Sequence, residues 1–121
     1  MTIREVLTRL DLQTHNTCTR QEKLNWLSEL DGLVKARILD THADPSPVQL
    51  PYTDPTADTT ELLVPPPYDG LYIRWLEAKI HYQNGEFIRF NNAMELFQNG
   101  WRDFAAGYHR QRKSPGGTRF F

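Results

Sequence analysis

With 121 residues, the chain fits one domain with a modest single core. A formal net charge of -1 gives no bulk electrostatic pull toward nucleic acid or an anionic membrane, so partners have to be argued from local patches. One cysteine, Cys18, excludes an internal disulfide framework and a thiolate metal cluster, and no apolar run reaches the roughly 18 residues of a membrane span. The first residues carry Arg4, Glu5 and Arg9 and lack the apolar stretch of a signal peptide, so a cytoplasmic protein is expected.

Thr2 is placed to cap a first helix whose Ile3, Val6, Leu7 and Leu10 share one face, ending near Leu12. A polar connector follows over 13–18. Thr19-Arg-Gln-Glu22 then matches a capping box, which starts helix two at Arg20. Its apolar stripe runs Leu24, Leu27, Leu30, Val34 and Ile38, broadened by Trp26, Leu33 and Leu39, with Gly32 a tolerated weak point and an end about Thr41.

Residues 43–67 change character: seven of the eight prolines fall there, with Asp44, Asp54, Asp58 and Glu61, and no Lys or Arg lies between Arg37 and Arg74. Helix cannot persist through such a segment. It exceeds the usual connection in a compact domain, so it is either a functional arm or partly disordered. Leu50, Tyr52 and Leu62-Leu63-Val64 argue that parts of it are pinned down. A short strand at Glu61 to Val64 fits the pattern, although one strand makes no sheet.

Pro65, Pro66 and Pro67 close the arm and suit the first turn of helix three, where a missing N–H costs nothing. That helix carries Tyr68, Leu71, Tyr72, Trp75, Leu76 and Ile80 and stops at Asn84-Gly85, a pair suited to a left-handed cap and tight turn. Helix four presents Phe87, Phe90, Met94, Phe97, Trp101, Phe104 and Tyr108 at spacings of three and four, against an otherwise polar surface. Such a stripe is the core of a small helical domain or else a subunit interface. The short turn sets helices three and four antiparallel with helix two as a third wall. The fold class is therefore all-α, a small bundle of two helical hairpins with the proline-rich acidic arm between helices two and three. The domain spans 1–108. A basic flexible tail follows over 109–121, with Arg110, Arg112, Lys113, Arg119 and a terminal Phe120-Phe121.

Signs of chemistry are sparse. His15, His42, His81 and His109 are scattered, and only His42 with Asp44 approaches a metal-ligand spacing, beside proline rather than on a fixed helix face. Phosphate-binding glycine loops, nucleophile elbows and HExxH are absent from the sequence. Glu77 and His81, four apart on helix three, form either an acid–base pair or a solvated helix contact. Neither an enzyme nor a bound metal or cofactor is expected. Trp26, Trp75 and Trp101 read as core or as base-stacking platforms, and each falls on or beside an apolar stripe. Asn91 and Asn92 are poor mid-helix residues, so their amides bond to the turn or the arm or stand in solvent. Arginine outnumbers lysine ten to four, which suits planar bidentate contacts at an interface.

Three stretches resemble one family: Trp26-Leu-Ser-Glu-Leu-Asp-Gly32, Glu61-Leu-Leu-Val-Pro-Pro-Pro-Tyr-Asp-Gly-Leu-Tyr72, and Asn84-Gly-Glu86 followed by Phe90-Asn-Asn-Ala-Met-Glu-Leu-Phe97. The family is the small helical head-to-tail connector, adaptor or head-completion proteins of tailed bacteriophages and prophages. The likeness covers about 20–108. It implies an oligomeric ring in the virion neck, assembled in the host cytoplasm, that binds the portal protein and a further neck or tail-completion protein. DNA would only pass through its lumen, with no membrane and no catalysis. Relatives often have tyrosine where this chain has Phe90. A ring of identical subunits needs two different complementary surfaces on each. The candidates are the acidic arm, with Asp44, Asp54, Asp58 and Glu61, and the basic tail, with Arg110, Arg112, Lys113, Arg119, Phe120 and Phe121. The alternative reading is a cytosolic helical protein-binding module or a regulator of a mobile element, acting through its aromatic face.

Overall fold

A computed structural model of the chain describes residues 1–37, 50–53 and 58–111, with side chains as far as Tyr108. Four helices make it up: α1 (Ile3–Gln13), α2 (Arg20–Arg37), α3 (Leu71–Gln83) and α4 (Phe87–Gln111). The described residues contain no strand, so the fold is an all-α small helical bundle.

Both early helices begin on reciprocal caps. The Thr2 hydroxyl accepts from the Glu5 N–H at 3.2 Å while the Glu5 carboxylate accepts from the Thr2 N–H at 2.8 Å. The Thr19 and Glu22 pair repeats this at 3.1 and 2.8 Å. Each box satisfies two backbone donors that a helix start otherwise leaves unpaired. α1 runs one residue past the expected Leu12, which itself faces solvent. The expected end of α2 about Thr41, with Ile38 and Leu39, lies outside the described residues.

The described part of the arm is tied to α1. Thr60 and Asp58 carbonyls accept from the Ile3 and Arg4 N–H groups at 3.1 and 3.0 Å, and the Met1 carbonyl accepts from Leu62 N–H at 3.0 Å. In place of the strand foreseen at Glu61 to Val64 there is one isolated antiparallel bridge between Thr2 and Glu61. The reason is visible in those bonds: the arm's partner is a helix start, which offers a few free donors and then turns away. The prolines differ from expectation as well. Pro65 accepts from Tyr68 N–H at 2.9 Å in a turn, and α3 starts only at Leu71, after Gly70, so the triplet stands outside the helix. The Leu50–Pro51 and Pro66–Pro67 peptide bonds are cis.

α3 is the axis of the molecule, packed against each of the other three helices. Leu71, Tyr72, Ile73, Leu76, Ala78 and Ile80 are all buried, which spreads apolar contact around much of its circumference as a central helix requires. At its end Gly85 takes φ 74°, a conformation open to glycine, and the chain reverses into α4. Ring contacts then record an antiparallel course: Tyr82 with Phe90 at 5.2 Å, Trp75 with Phe97 at 5.0 Å and Tyr68 with Phe104 at 5.7 Å. Gly107 makes the last of these approaches feasible, because a Cβ there would collide with the Tyr68 hydroxyl.

The seven-residue stripe of α4 divides. Phe97 and Phe104 are buried, together with Ala93 and Gly107, whereas Phe90, Met94, Trp101 and Tyr108 are half-buried and Phe87 is 57% exposed. Reading all seven as core is therefore corrected: α4 is rotated so that small residues share the buried face, Gly100 against Leu71 and Gly107 against Tyr68, and the aromatics form one flank of it. The α4 backbone also continues to Gln111, three residues beyond the boundary set at Tyr108.

Candidate functional site

The densest polar arrangement lies inside the fold. Asp31, on the apolar face of α2, is 0% exposed. Its Oδ1 accepts from the Tyr72 hydroxyl at 2.6 Å, and its Oδ2 accepts from the Tyr52 hydroxyl at 2.6 Å and from Leu63 N–H at 3.2 Å. Tyr72 Oη accepts in turn from Val64 N–H at 2.7 Å. Burial pushes the Asp31 carboxyl up, while the Tyr52, Tyr72 and Leu63 hydrogen bonds hold it down in part. Burial and the neighbouring carboxylate push both phenols well above their ordinary range. A carboxylate that among the described residues meets only donors, and is closed off from water, holds chain segments together. It joins α2, both described ends of the arm and α3 at one point.

The acidic residues nominated for contacts between subunits are placed differently. Asp58 lies 2.6 Å from the Arg20 guanidinium and 3.9 Å from that of Arg4, and Glu61 lies 3.3 Å from the Met1 amine. Both tie the described part of the arm to its own chain, and the Glu61 side chain remains 72% exposed. Asp44, Asp54, Arg112, Lys113, Arg119, Phe120 and Phe121 lie outside the described residues, and of Arg110 only the helical backbone is described.

Glu77 and His81 do not pair. Glu77 accepts from the Thr14 hydroxyl at 2.8 Å and from Arg74 at 3.2 Å, and His81 Nδ1 meets Glu86 across the turn at 3.0 Å. The His81 contact, with Arg89 beyond it, holds the Glu86 carboxyl below its usual range. Thr14, Glu77, His81, Glu86 and Arg89 border a polar hollow of about 470 Å³ with Gln13 and His15. Among the described residues no three His, Cys, Asp or Glu side chains come together to hold a metal, and no helix is long and apolar enough to cross a membrane. Asn91 and Asn92 are exposed, with no bond to the turn or to the described arm.

The tryptophans are half-buried contacts rather than a platform. Trp75 Nε1 donates to the Trp26 carbonyl at 2.9 Å, and Lys79 Nζ sits 4.8 Å from the Trp75 ring centre. Beside them two open apolar hollows lie along α4, one between it and α2 and one between it and α3. One hollow of about 370 Å³ is bordered by Leu33, Arg37, Phe97, Trp101 and Arg102. A second of about 230 Å³ is bordered by Trp75, Lys79, Tyr82, Phe90 and Met94.

Comparison with known proteins returned no matching family model, no matching curated protein and no matching solved structure. What sequence reasoning missed is Asp31. Its signal was present: it falls four residues after Leu27 and three before Val34, so it occupies a core position of α2. A carboxylate there needs buried donors.

Proposed function

We propose that this chain is a structural head-to-tail connector of a tailed phage or prophage, a subunit of a ring between the portal of the head and the tail. The observation that supports the reading is that two of the three resembling stretches meet in space. Asp31 of the first is bonded to Leu63 N–H and to the Tyr72 hydroxyl of the second. The stretches therefore belong to one structural unit, as segments of a shared fold would. In this reading the finer architecture is two helical hairpins joined by the proline-rich arm, with α3 and α4 as one of them. Portal and tail-completion proteins are its partners, DNA only traverses the lumen, and the protein performs no catalysis. Its place is the virion neck, reached from the host cytoplasm.

The apolar hollows that α4 forms with α2 and α3 favour a second reading, in which a cytosolic module of a mobile element takes up one protein partner. Deleting the gene from an inducible prophage separates the two. A connector leaves DNA-filled heads and free tails unjoined in electron micrographs, and the defect is repaired by supplying the protein to the mixed parts. Normal yields of joined particles from the deletion would overturn the connector reading.

A further inference from the structure

The furrow and the outer face of α4 are matched in chemistry. The furrow is made of the two hollows along α4, with the half-buried flank of that helix as their common wall and the Trp75 and Phe97 rings, 5.0 Å apart, between them. Its rim is cationic, with Arg37 at the end of α2, Lys79 on α3 and Arg102 on α4. Lys79 is paired with Glu29 at 3.4 Å, and among the described residues Arg102 donates only to the neighbouring amide of Asn99. From Phe90 to Trp101 the wall is about 16 Å long, three turns of helix at 1.5 Å per residue.

About half a turn around α4 from that wall, at 3.6 residues per turn, lies its solvent face. It carries Ile88, 79% exposed, and Leu96, 48% exposed. Glu95 and Asp103 flank them, both exposed and without an ion-pair partner among the described residues. Two exposed apolar side chains about two turns apart, with Asn92 between them, Asn99 beyond, and carboxylates beside them that are unpaired among the described residues, are the counterpart of two apolar hollows edged by cationic side chains. Both belong to one chain, on different sides of one helix.

We infer that the outer face of α4 in one copy seats along the half-buried flank of α4 in the next, with Ile88 and Leu96 entering the two hollows that flank forms with α2 and α3 and Glu95 and Asp103 meeting Arg37 and Arg102. This is the helix-in-groove mode of recognition between identical chains. Because outer face and furrow are different patches, each copy that binds one neighbour still offers a surface to another, so association proceeds head to tail and closes into a ring or continues as a filament. The inference rests on the ring reading above and names its lateral contact.

Sedimentation velocity on the full chain over a wide concentration range tests it with exposed residues only, and circular dichroism checks that the variants stay folded. Wild type should associate beyond a dimer. Glu95→Lys with Asp103→Lys, and separately Arg37→Glu with Arg102→Glu, should each weaken association by roughly tenfold or more, since like charges then face each other. Mixing the two double variants, or combining all four reversals in one chain, should restore association. Association of wild type that none of the reversals alters would overturn this contact while leaving a ring built another way. A wild type that stays monomeric throughout would overturn it too, and the joining assay on heads and tails would still decide the connector reading. Failure of the four-fold variant to regain association would show that the reversals act elsewhere.

Discussion

Removing one oxygen atom from Tyr72 tests how the arm is held. In Tyr72→Phe the ring keeps its packing, but Asp31 Oδ1 loses a donor at 2.6 Å and Val64 N–H loses its acceptor at 2.7 Å. A hydrogen bond to a charged group contributes about 1.5–3 kcal/mol, and an unpaired buried N–H costs about 1–3 kcal/mol. The two losses share one site and are not additive, so about 3–4 kcal/mol is expected, a large part of the roughly 5–15 kcal/mol that holds a domain folded. Tyr52→Phe is the internal control. Its hydroxyl only donates, to an oxygen that keeps the Leu63 N–H at 3.2 Å, so about 1.5–3 kcal/mol is expected. Urea unfolding followed by tryptophan fluorescence measures both, with the midpoint shifted and the slope unchanged. A Tyr72→Phe variant no less stable than Tyr52→Phe would refute the double role assigned to the Tyr72 hydroxyl.

Asp31 should also reverse the usual pH dependence of a carboxylate. Its folded state holds the proton more readily than the unfolded chain, so its contribution is full below the unfolded value near 3.8 and is lost as pH rises through the raised folded value. Wild type should thus gain stability relative to Asp31→Asn as pH falls toward that value, even while Asp11, held low by Lys23 and Asn16 despite the cost of burial, makes the whole protein less stable; a wild-type advantage that shrinks on acidification would contradict this. Gly107→Ala should destabilise by about 1–3 kcal/mol through its clash with Tyr68, whereas Gly32→Ala, with open space at its Cβ in α2, should stabilise by about 0.5–1 kcal/mol. Thermal melts that rank them the other way would refute the packing of Tyr68 on α4. Phe104→Ala should cost about 3–5 kcal/mol and Phe87→Ala should change stability little, since one ring is fully buried and the other 57% exposed; equal losses in denaturant titrations would restore the whole stripe to the core.

Much of the framework was legible because it is local. Thr19 and Glu22 announce the start of α2 by spacing alone, and Asn84-Gly85 announces the reversal, since a turn needing positive φ selects its residues. The rotation of α4 was not legible. Periodicity weights residues by size, and Phe87 and Trp101 outweigh Gly100 and Gly107, yet these glycines are the ones that let Leu71 and Tyr68 come close. The fates of Asp58 and Glu61 were hidden for a related reason. An acidic run looks unpartnered until Arg20 and the Met1 amine, far away in sequence, are folded against it. Asp31 was concealed by its neighbours, because Leu27, Leu30 and Val34 make a satisfactory stripe without it.

The same cluster sets an order of events. Contacts between α3 and α4 close across a turn of a few residues, so the chain loses little freedom in making them. The Asp31 bonds to Tyr52 and Tyr72 span separations of 21 and 41 residues and become worthwhile only once the intervening chain has been brought back. The described part of the arm should thus lock last and let go first. Weakening its clasp should leave the rate of folding nearly untouched and hasten unfolding, so that its role lies in how long the native state persists rather than in how quickly it is reached.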